Sequence, residues 1–136
     1  MPSARRPARN AHAHDLSQVI QALHNIPWLK DIQEATLHKL AEASRRESYP
    51  SGSQVGYRGR ECTHLMLVLQ GTVLVGFHTV GGRRHVINLL GPGQFQSLIP
   101  LIDEGPQIHD SICKGDVRLL FIPRVVIVQA LQEDPQ

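Results

Sequence analysis

Hydrophobic and polar positions follow two different periods in the two parts of the chain. Between residues 16 and 41, apolar side chains recur at intervals of three and four residues, which is typical of amphipathic helices. We predict a first short helix capped by Asp15, and a second helix that begins after Asp31 with Glu34 three residues later. The apolar stripes are Leu16, Val19, Ile20 and Leu23 in the first helix, and Leu37, Leu40 and Ala41 in the second.

From about residue 47 onward, glycines and prolines separate short apolar runs at intervals typical of an all-β sandwich or barrel. The sequence VGGR at 80–83 predicts a tight hairpin, because consecutive glycines accept the positive φ that such turns require. We expect Pro123 to open a terminal helix that runs through Val125 to Leu131. The predicted strands are HLMLVLQ (64–70), TVLVGF (72–77), RRHVINLL (83–90), HDSIC (109–113) and DVRLLFI (116–122).

Length and charge limit the function classes. A chain of 136 residues is long enough for one hydrophobic core, so we predict a basic disordered leader over 1–14 and one domain over 15–136. Arg5, Arg6 and Arg9 carry the excess positive charge, because residues 11–136 hold 11 basic and 12 acidic side chains. A folded DNA-binding surface needs clustered Lys and Arg, and this body is close to neutral.

Cysteine usage and hydropathy indicate a cytoplasmic protein. Cys62 and Cys113 are far apart in the sequence, and the N-terminus lacks the continuous apolar stretch of a secretory signal. We therefore expect two reduced thiols. No run approaches the roughly 20 apolar residues of a membrane span, so no membrane association is expected.

Four segments, taken in order, resemble a known family. They are IPWLKDIQEATLHKLAEAS, YPSGSQVGYRGRECTHLMLVLQGTVLV, INLLGPGQF and LLFIPR. Their order and spacing, from Ile26 to Pro135, resemble the cyclic-nucleotide-binding domain of the CRP/FNR superfamily of bacterial transcription regulators. The resemblance implies a mainly β fold, an eight-stranded antiparallel jelly roll (double-stranded β-helix) with flanking N- and C-terminal helices.

The resemblance also implies a degenerate ligand site. Nucleotide-binding members use a phosphate-binding cassette with Gly-Glu, where the Glu accepts from the ribose, and an Arg that pairs with the cyclic phosphate. Alignment through Gly93, Phe95 and the Gly105-Pro106 pair places Ser97 at the Gly, Leu98 at the Glu and Gln107 at the Arg. Both ligating charges are then absent, and no Arg or Lys occurs between Arg84 and Lys114. The candidate pocket residues are Phe95, Ser97, Leu98, Ile99, Gln107, Ile108 and His109.

Two interpretations of this segment stay open. Its residues line a pocket for a different effector, or they form a vestigial loop that packs on itself. In either case a buried phosphate would lack the charge-assisted partner that Arg supplies, so we expect no useful affinity for cyclic AMP.

Other chemistry has weaker support in the sequence. His78 and His85 flank the glycine hairpin at positions where a cross-strand pair could hold a metal, but no third ligand stands at a recognisable spacing. An iron–sulfur cluster needs about four thiolates, and the chain has two. We therefore predict no cofactor, with haem or a metal as the minor alternative.

Catalysis is not expected either. Asp103 and Glu104 are adjacent residues on a predicted turn, where they usually point apart, and no Ser-His-Asp or Cys-His arrangement has a supporting motif. A cupin metal centre needs a His-x-His and Glu cluster on a strand, which these strands lack. The sequence therefore favours a binding module over an enzyme.

Two functions remain after these exclusions. The first is the effector-sensing domain of a bacterial CRP/FNR-type regulator that does not bind cyclic AMP. The second is a stand-alone module that acts through a protein partner or another small ligand. In the family, the helix after FIPR forms the dimer interface and leads to a DNA-reading helix-turn-helix. The residues from Pro123 to Gln136 leave no room for that module. The expected partners are a second copy within a longer parent, DNA only through a module outside this chain, and an unidentified small-molecule effector.

Overall fold

Two long strands form the centre of the sheet in the computed structural model, which describes residues 19–24, 26, 29, 32–96 and 98–133. Strand β3 (His64–His78) pairs antiparallel with β6 (Asp110–Pro123), with His64 opposite Pro123 at one end and Gly76 opposite Asp110 at the other. The order across the sheet is β1 (Arg45–Tyr49), β6, β3 and β4 (Arg84–Leu90), while β2 (Gln54–Gly56) pairs with β6 and β5 (Phe95–Gln96) pairs with β3.

The described residues form six strands where the resemblance implied eight. The difference arises because β3 covers both predicted strands at 64–70 and 72–77, and β6 covers those at 109–113 and 116–122 except for His109, which precedes it. Backbone pairing continues past the corners at Gly71 (φ 94°) and Gly115 (φ 74°), with register irregularities on both sides of residue 70. Only glycine fits at residue 71, because a Cβ there would lie 2.6 Å from the Asp116 carbonyl oxygen. The mainly β, antiparallel fold with flanking helices is confirmed.

The predicted second helix is also confirmed as α1 (Glu34–Ala43), which buries Thr36, Leu37, Leu40 and Ala41. Of the first predicted helix, residues 19–24 are helical, whereas the cap at Asp15 and residue Leu16 lie outside the described residues. Asp31 and the leader over 1–14 also lie outside them, but Gln33 is the N-cap of α1, so this helix begins later than the predicted start directly after Asp31.

The C-terminal helix differs slightly from its prediction. Helix α3 (Arg124–Glu133) begins one residue later than expected, because Pro123 is still paired with His64 as the last residue of β6. A further short helix, α2 (Leu98–Asp103), occupies part of the segment that we interpreted as the ligand loop. Among the described residues no helix has the length and apolar character needed to cross a membrane.

Alternation along the central strands divides the core into two layers. Leu65 and Leu67 face the helices, where they join buried residues of α1 and α3 such as Leu40 and Ile127. Met66 and Val68 point to the opposite face. The second layer consists of Met66, Val68, Val73, Val75, Leu90, Cys113, Val117 and Leu119. The partly buried side chains of Tyr49, Val55 and Phe121 lie at its margin, where the sheet opens into a cavity.

Candidate functional site

A cavity of about 210 Å³ opens at this margin, between the interior face of the sheet and the segment that precedes β6. Four of its lining residues, two of them glutamines, are called the amide cluster: Gly56, Gln96, Gln107 and Ser111. Three others surround the ring of Phe121, and these four residues are called the aromatic cluster: Arg45, Tyr49, His64 and Phe121. Val55, Thr63 and Met66 complete the described lining.

In the amide cluster, Gln107 joins the predicted cassette to the loop after β2. Its side-chain Oε1 accepts a hydrogen bond from the backbone N–H of Tyr57 over 3.1 Å. Its backbone N–H donates to the Arg60 carbonyl over 2.8 Å, and its carbonyl accepts from the Gly59 N–H over 2.8 Å. Because a backbone N–H can only donate, the Tyr57 contact fixes which end of the Gln107 amide is the oxygen.

The rest of this cluster depends on a close approach of backbone to side chain. The hydroxyl of Ser111, which is fully buried, donates to Oε1 of Gln96 over 2.6 Å. A Cβ at Gly56 would lie 2.8 Å from the Ser111 Oγ and 3.3 Å from the Gln107 Oε1. Glycine at residue 56 therefore leaves room for the Ser111 and Gln107 side chains to reach the cavity wall.

The aromatic cluster is arranged around Phe121. The rings of Tyr49 and His64 each meet it edge-on, with centroids 6.4 Å apart, and the Arg45 Cζ lies 5.0 Å from its centroid. Sheet register explains the arrangement, because Arg45 pairs directly with Phe121 across β1 and β6. The Nε of Arg45 also lies 3.3 Å from a Glu47 carboxylate oxygen.

Among the described residues that line the cavity, Arg45 carries the positive charge at pH 7. Burial, and secondarily the neighbouring Arg45 charge, hold the pKa of His64 below its usual value, so this imidazole is neutral at pH 7. Burial, and then the Glu47 charge, raise the pKa of Tyr49, so its phenol keeps its proton. The described lining contains no carboxylate.

The sequence-predicted pocket residues are distributed unevenly around this cavity. Gln107 lines it, whereas Phe95 is half-buried against the helix-side core. Ile108 is 54% exposed and His109 is half-buried, and neither is among the described lining residues. Ser97 lies outside the described residues, as do the side chains of the helical residues Leu98 and Ile99.

Arg45 and His64 were missed by the sequence analysis. Both lie far from the cassette in the sequence, and only sheet pairing brings them to the same cavity. The available signal was weak: Arg45 lies on the same face of a short strand as Tyr49, a pattern that does not identify the strand's partner.

The histidine pair suggested across the glycine hairpin is not formed. His78 pairs with Arg84 and His85 with Phe77, so the two imidazoles are on opposite faces of the sheet. His85 stacks on Phe77 with centroids 5.2 Å apart, and the His78 Nδ1 lies 2.9 Å from Asp110 Oδ2. Within the described part of the chain, no three His, Cys, Asp or Glu side chains are grouped to hold a metal ion.

The sequence from residue 46 to residue 134 matches the family described as the cyclic nucleotide-binding domain. The chain belongs to this family. A curated relative, the cyclic AMP receptor protein of Thermus thermophilus, is 32% identical over 80 residues, which is 59% of this chain and 37% of that protein. The chain spans less than half the length of the curated relatives it matches.

Solved structures share the fold of this cyclic nucleotide-binding domain. The regulatory domain of Toxoplasma gondii PKA with cAMP superposes with a TM-score of 0.81 at 18% identity, over 91% of this chain and 48% of that one. The sensor domain of the transcriptional regulator DNR from Pseudomonas aeruginosa gives 0.78 at 13% identity, over 90% and 81%. The jelly-roll prediction is thus confirmed: the domain shares its fold with a PKA regulatory domain and is similar in sequence to a cyclic AMP receptor protein.

Proposed function

We propose that this cyclic nucleotide-binding domain is the effector-sensing part of a bacterial CRP/FNR-type transcription regulator, and that cyclic AMP is not its effector. The observation that carries the proposal is the position and hydrogen bonding of the Gln107 side chain. This residue stands where the family resemblance places the phosphate-binding Arg, and it lines the cavity with a neutral amide whose oxygen is already bonded to Tyr57.

A neutral amide is a poor substitute for a guanidinium at this position. Arg offers a bidentate, charge-assisted fork to a phosphate, whereas the Gln107 amide can add one neutral N–H donor while its oxygen holds the Tyr57 N–H. The phosphate would lack a charged partner at the Gln107 position of a partly enclosed site, which is costly. No Arg or Lys elsewhere between residues 84 and 114 replaces it.

Arg45 does not take the place of the phosphate-binding Arg of the cassette. It belongs to β1, its Cζ lies over the Phe121 ring, and Glu47 partly compensates its charge. It therefore stands in the aromatic cluster, whereas the resemblance places the family's phosphate partner at Gln107 in the amide cluster. The ribose acceptor is also missing, because Leu98 stands at the aligned Glu position.

The open cavity supports an effector site over a loop packed on itself. About 210 Å³ of space lies between the amide and aromatic clusters, and polar side chains reach it from four strands and the segment before β6. A collapsed cassette would have filled this space with its own side chains. In this proposal, a small ligand other than a cyclic nucleotide occupies the cavity.

A hydrogen bond and an ion pair connect the α2 segment to the C-terminal helix α3. The Nε of Arg124, at the start of α3, donates to the Leu101 carbonyl in α2 over 2.7 Å, and its Nη2 lies 3.5 Å from a Glu104 carboxylate oxygen. A ligand that shifts α2 would therefore displace the start of α3. In this proposal, α3 transmits the change to a dimer interface and a DNA-binding module of the parent protein, which acts in the cytoplasm and without catalysis.

The genomic reading frame tests the regulator assignment. We expect the frame to continue beyond the codon for Gln136 into a helix-turn-helix. A stop codon at that point, together with a specific protein captured by the purified domain, would instead support a stand-alone module that acts through a protein partner.

A further inference from the structure

The two glutamines of the amide cluster present donors to the cavity. Oε1 of Gln107 is bonded to the Tyr57 N–H, and Oε1 of Gln96 accepts from the Ser111 hydroxyl. Neither side-chain NH₂ group has a partner within the described part of the chain. A half-buried NH₂ group without an acceptor is unfavourable. A ligand that supplies acceptor oxygens would therefore satisfy the hydrogen-bonding capacity of these two groups.

The aromatic cluster adds a cation to these donors. Arg45 uses its Nε for Glu47 and its face for Phe121, and its terminal Nη groups have no partner among the described residues. The Arg45 side chain is 57% exposed, which places it at the mouth of the cavity where a ligand can reach it. A planar guanidinium with a free Nη edge is suited to a carboxylate.

Apolar surface lies between these two polar groups. Met66 pairs with Gln96 on one side and with Phe121 on the other, and all three line the cavity. Val55 contributes a further apolar side chain. A ligand that spans the cavity therefore contacts apolar side chains along its body and polar donors at both ends.

We propose that this cavity binds a small carboxylic acid with an apolar body, its carboxylate held by Arg45 and a second acceptor oxygen held by the NH₂ group of Gln107. The inference rests on the proposed function, because it identifies the ligand class of the same effector site. It differs from the family's phosphate recognition in its anchor, which is a strand β1 arginine outside the cassette.

Matched probes test the charge requirement. We would titrate ¹⁵N-labelled protein with 4-acetylbenzoate, which carries a carboxylate and a ketone oxygen, and with the neutral 4-acetylbenzamide. The acid should bind about tenfold tighter than the amide, because a charge-assisted bond is worth about 1.4 kcal/mol or more. The side-chain NH₂ signals of Gln107 should shift on binding. The ethyl analogue, 4-ethylbenzoate, should bind more weakly and leave these signals in place.

Variants at two adjacent arginines assign the effect to Arg45. Arg45→Gln should remove the preference for the acid, and Arg45→Lys should retain part of it. Arg46→Gln, on the opposite face of β1, should leave the preference unchanged. Dispersed amide spectra would show that each variant is folded.

Three results would overturn the inference: equal affinity for acid and amide, equal losses in Arg45→Gln and Arg46→Gln, or no binding of either probe at about 10 mM. Binding of the neutral amide in the cavity with an affinity equal to that of the acid would sink this inference but leave the effector-site proposal standing. Tight binding of cyclic AMP would contradict the proposed function itself.

Discussion

The side-chain oxygen of Gln107 accepts a hydrogen bond from the backbone N–H of Tyr57, so the residue aligned with the family's phosphate-binding Arg has a structural partner in the protein. The adjacent backbone bonds from Gln107 to Arg60 and from Gly59 to Gln107 extend this connection along the loop. The cassette and the loop after β2 thus hold each other in place.

Gln107→Ala should therefore lower the free energy of unfolding by about 0.5–1.5 kcal/mol, because the half-buried Tyr57 N–H loses its acceptor. Urea denaturation measures the change. Gln129→Ala is the matched control, since Gln129 is exposed on α3 and alanine favours a helix. Equal stabilities of the two variants would show that the Gln107 bond contributes nothing.

Arg45→Gln should raise the pKa of His64. Burial is the larger cause of its lowered pKa and persists in the variant, whereas the repulsion from the Arg45 charge is removed. The pKa should consequently rise towards the ordinary value of 6.5 without reaching it. An NMR titration of the His64 ring signals follows the change, with Arg46→Gln as control. An unchanged or lower pKa in Arg45→Gln would place Arg45 away from this imidazole.

Asp110 should make stability depend on pH in the acid range. The Arg58 backbone N–H donates to Oδ1 over 2.9 Å, and His78 lies 2.9 Å from Oδ2; these two bonds, in that order, lower the pKa of Asp110. A carboxyl with a lower pKa in the folded state stabilises the protein above its unfolded-state pKa. That stabilisation is lost as pH falls through the folded-state pKa.

Asp110→Asn should accordingly be less stable than the parent at pH 7 and should lose less stability between about pH 5 and pH 2. Thermal unfolding at several pH values measures both effects. Asp103→Asn, at an exposed position on α2, should follow the parent curve. If Asp110→Asn kept the parent's full acid dependence, other carboxyls would have to account for it.

Restoring the family's charges should restore nucleotide binding. The triple variant Ser97→Gly, Leu98→Glu, Gln107→Arg replaces the three positions that depart from the cassette pattern, and should bind cyclic AMP measurably. The control is the double variant that keeps Gln107, which supplies the ribose acceptor without the phosphate cation and should not bind. If the triple variant folded but did not bind cyclic AMP, the shape of the cavity, and not only its missing charges, would have to differ from that of a nucleotide site.

Much of the fold could be predicted from local patterns. Helix α1 follows from apolar residues at helical spacing, and the central strands follow from alternation that places Leu65 and Leu67 on one face and Met66 and Val68 on the other. The short helix α2 was missed because glycines and prolines around it indicate a loop. Pro100 nevertheless fits there, since it lies in the first helical turn, where its missing N–H has no partner to lose.

The cavity depends on pairing that local patterns do not contain. Gln107 was found because the cassette resemblance fixes its position relative to nearby glycines. Arg45 reaches the same cavity only because β1 pairs with β6 in the register that sets it opposite Phe121. A shift of one residue would turn Arg45 away and present Arg46 instead.

Isothermal titration calorimetry of the unmodified domain with cyclic AMP, repeated with cyclic GMP, measures whether the cassette has lost its original ligand. An unpaired phosphate in the cavity costs on the order of 3–5 kcal/mol, which weakens binding by a factor of several hundred or more. We predict no saturable heat that corresponds to a dissociation constant below about 10 μM for either nucleotide. A dissociation constant below about 10 μM would contradict the assignment of Gln107 to the phosphate position and the proposal that this domain senses a different ligand.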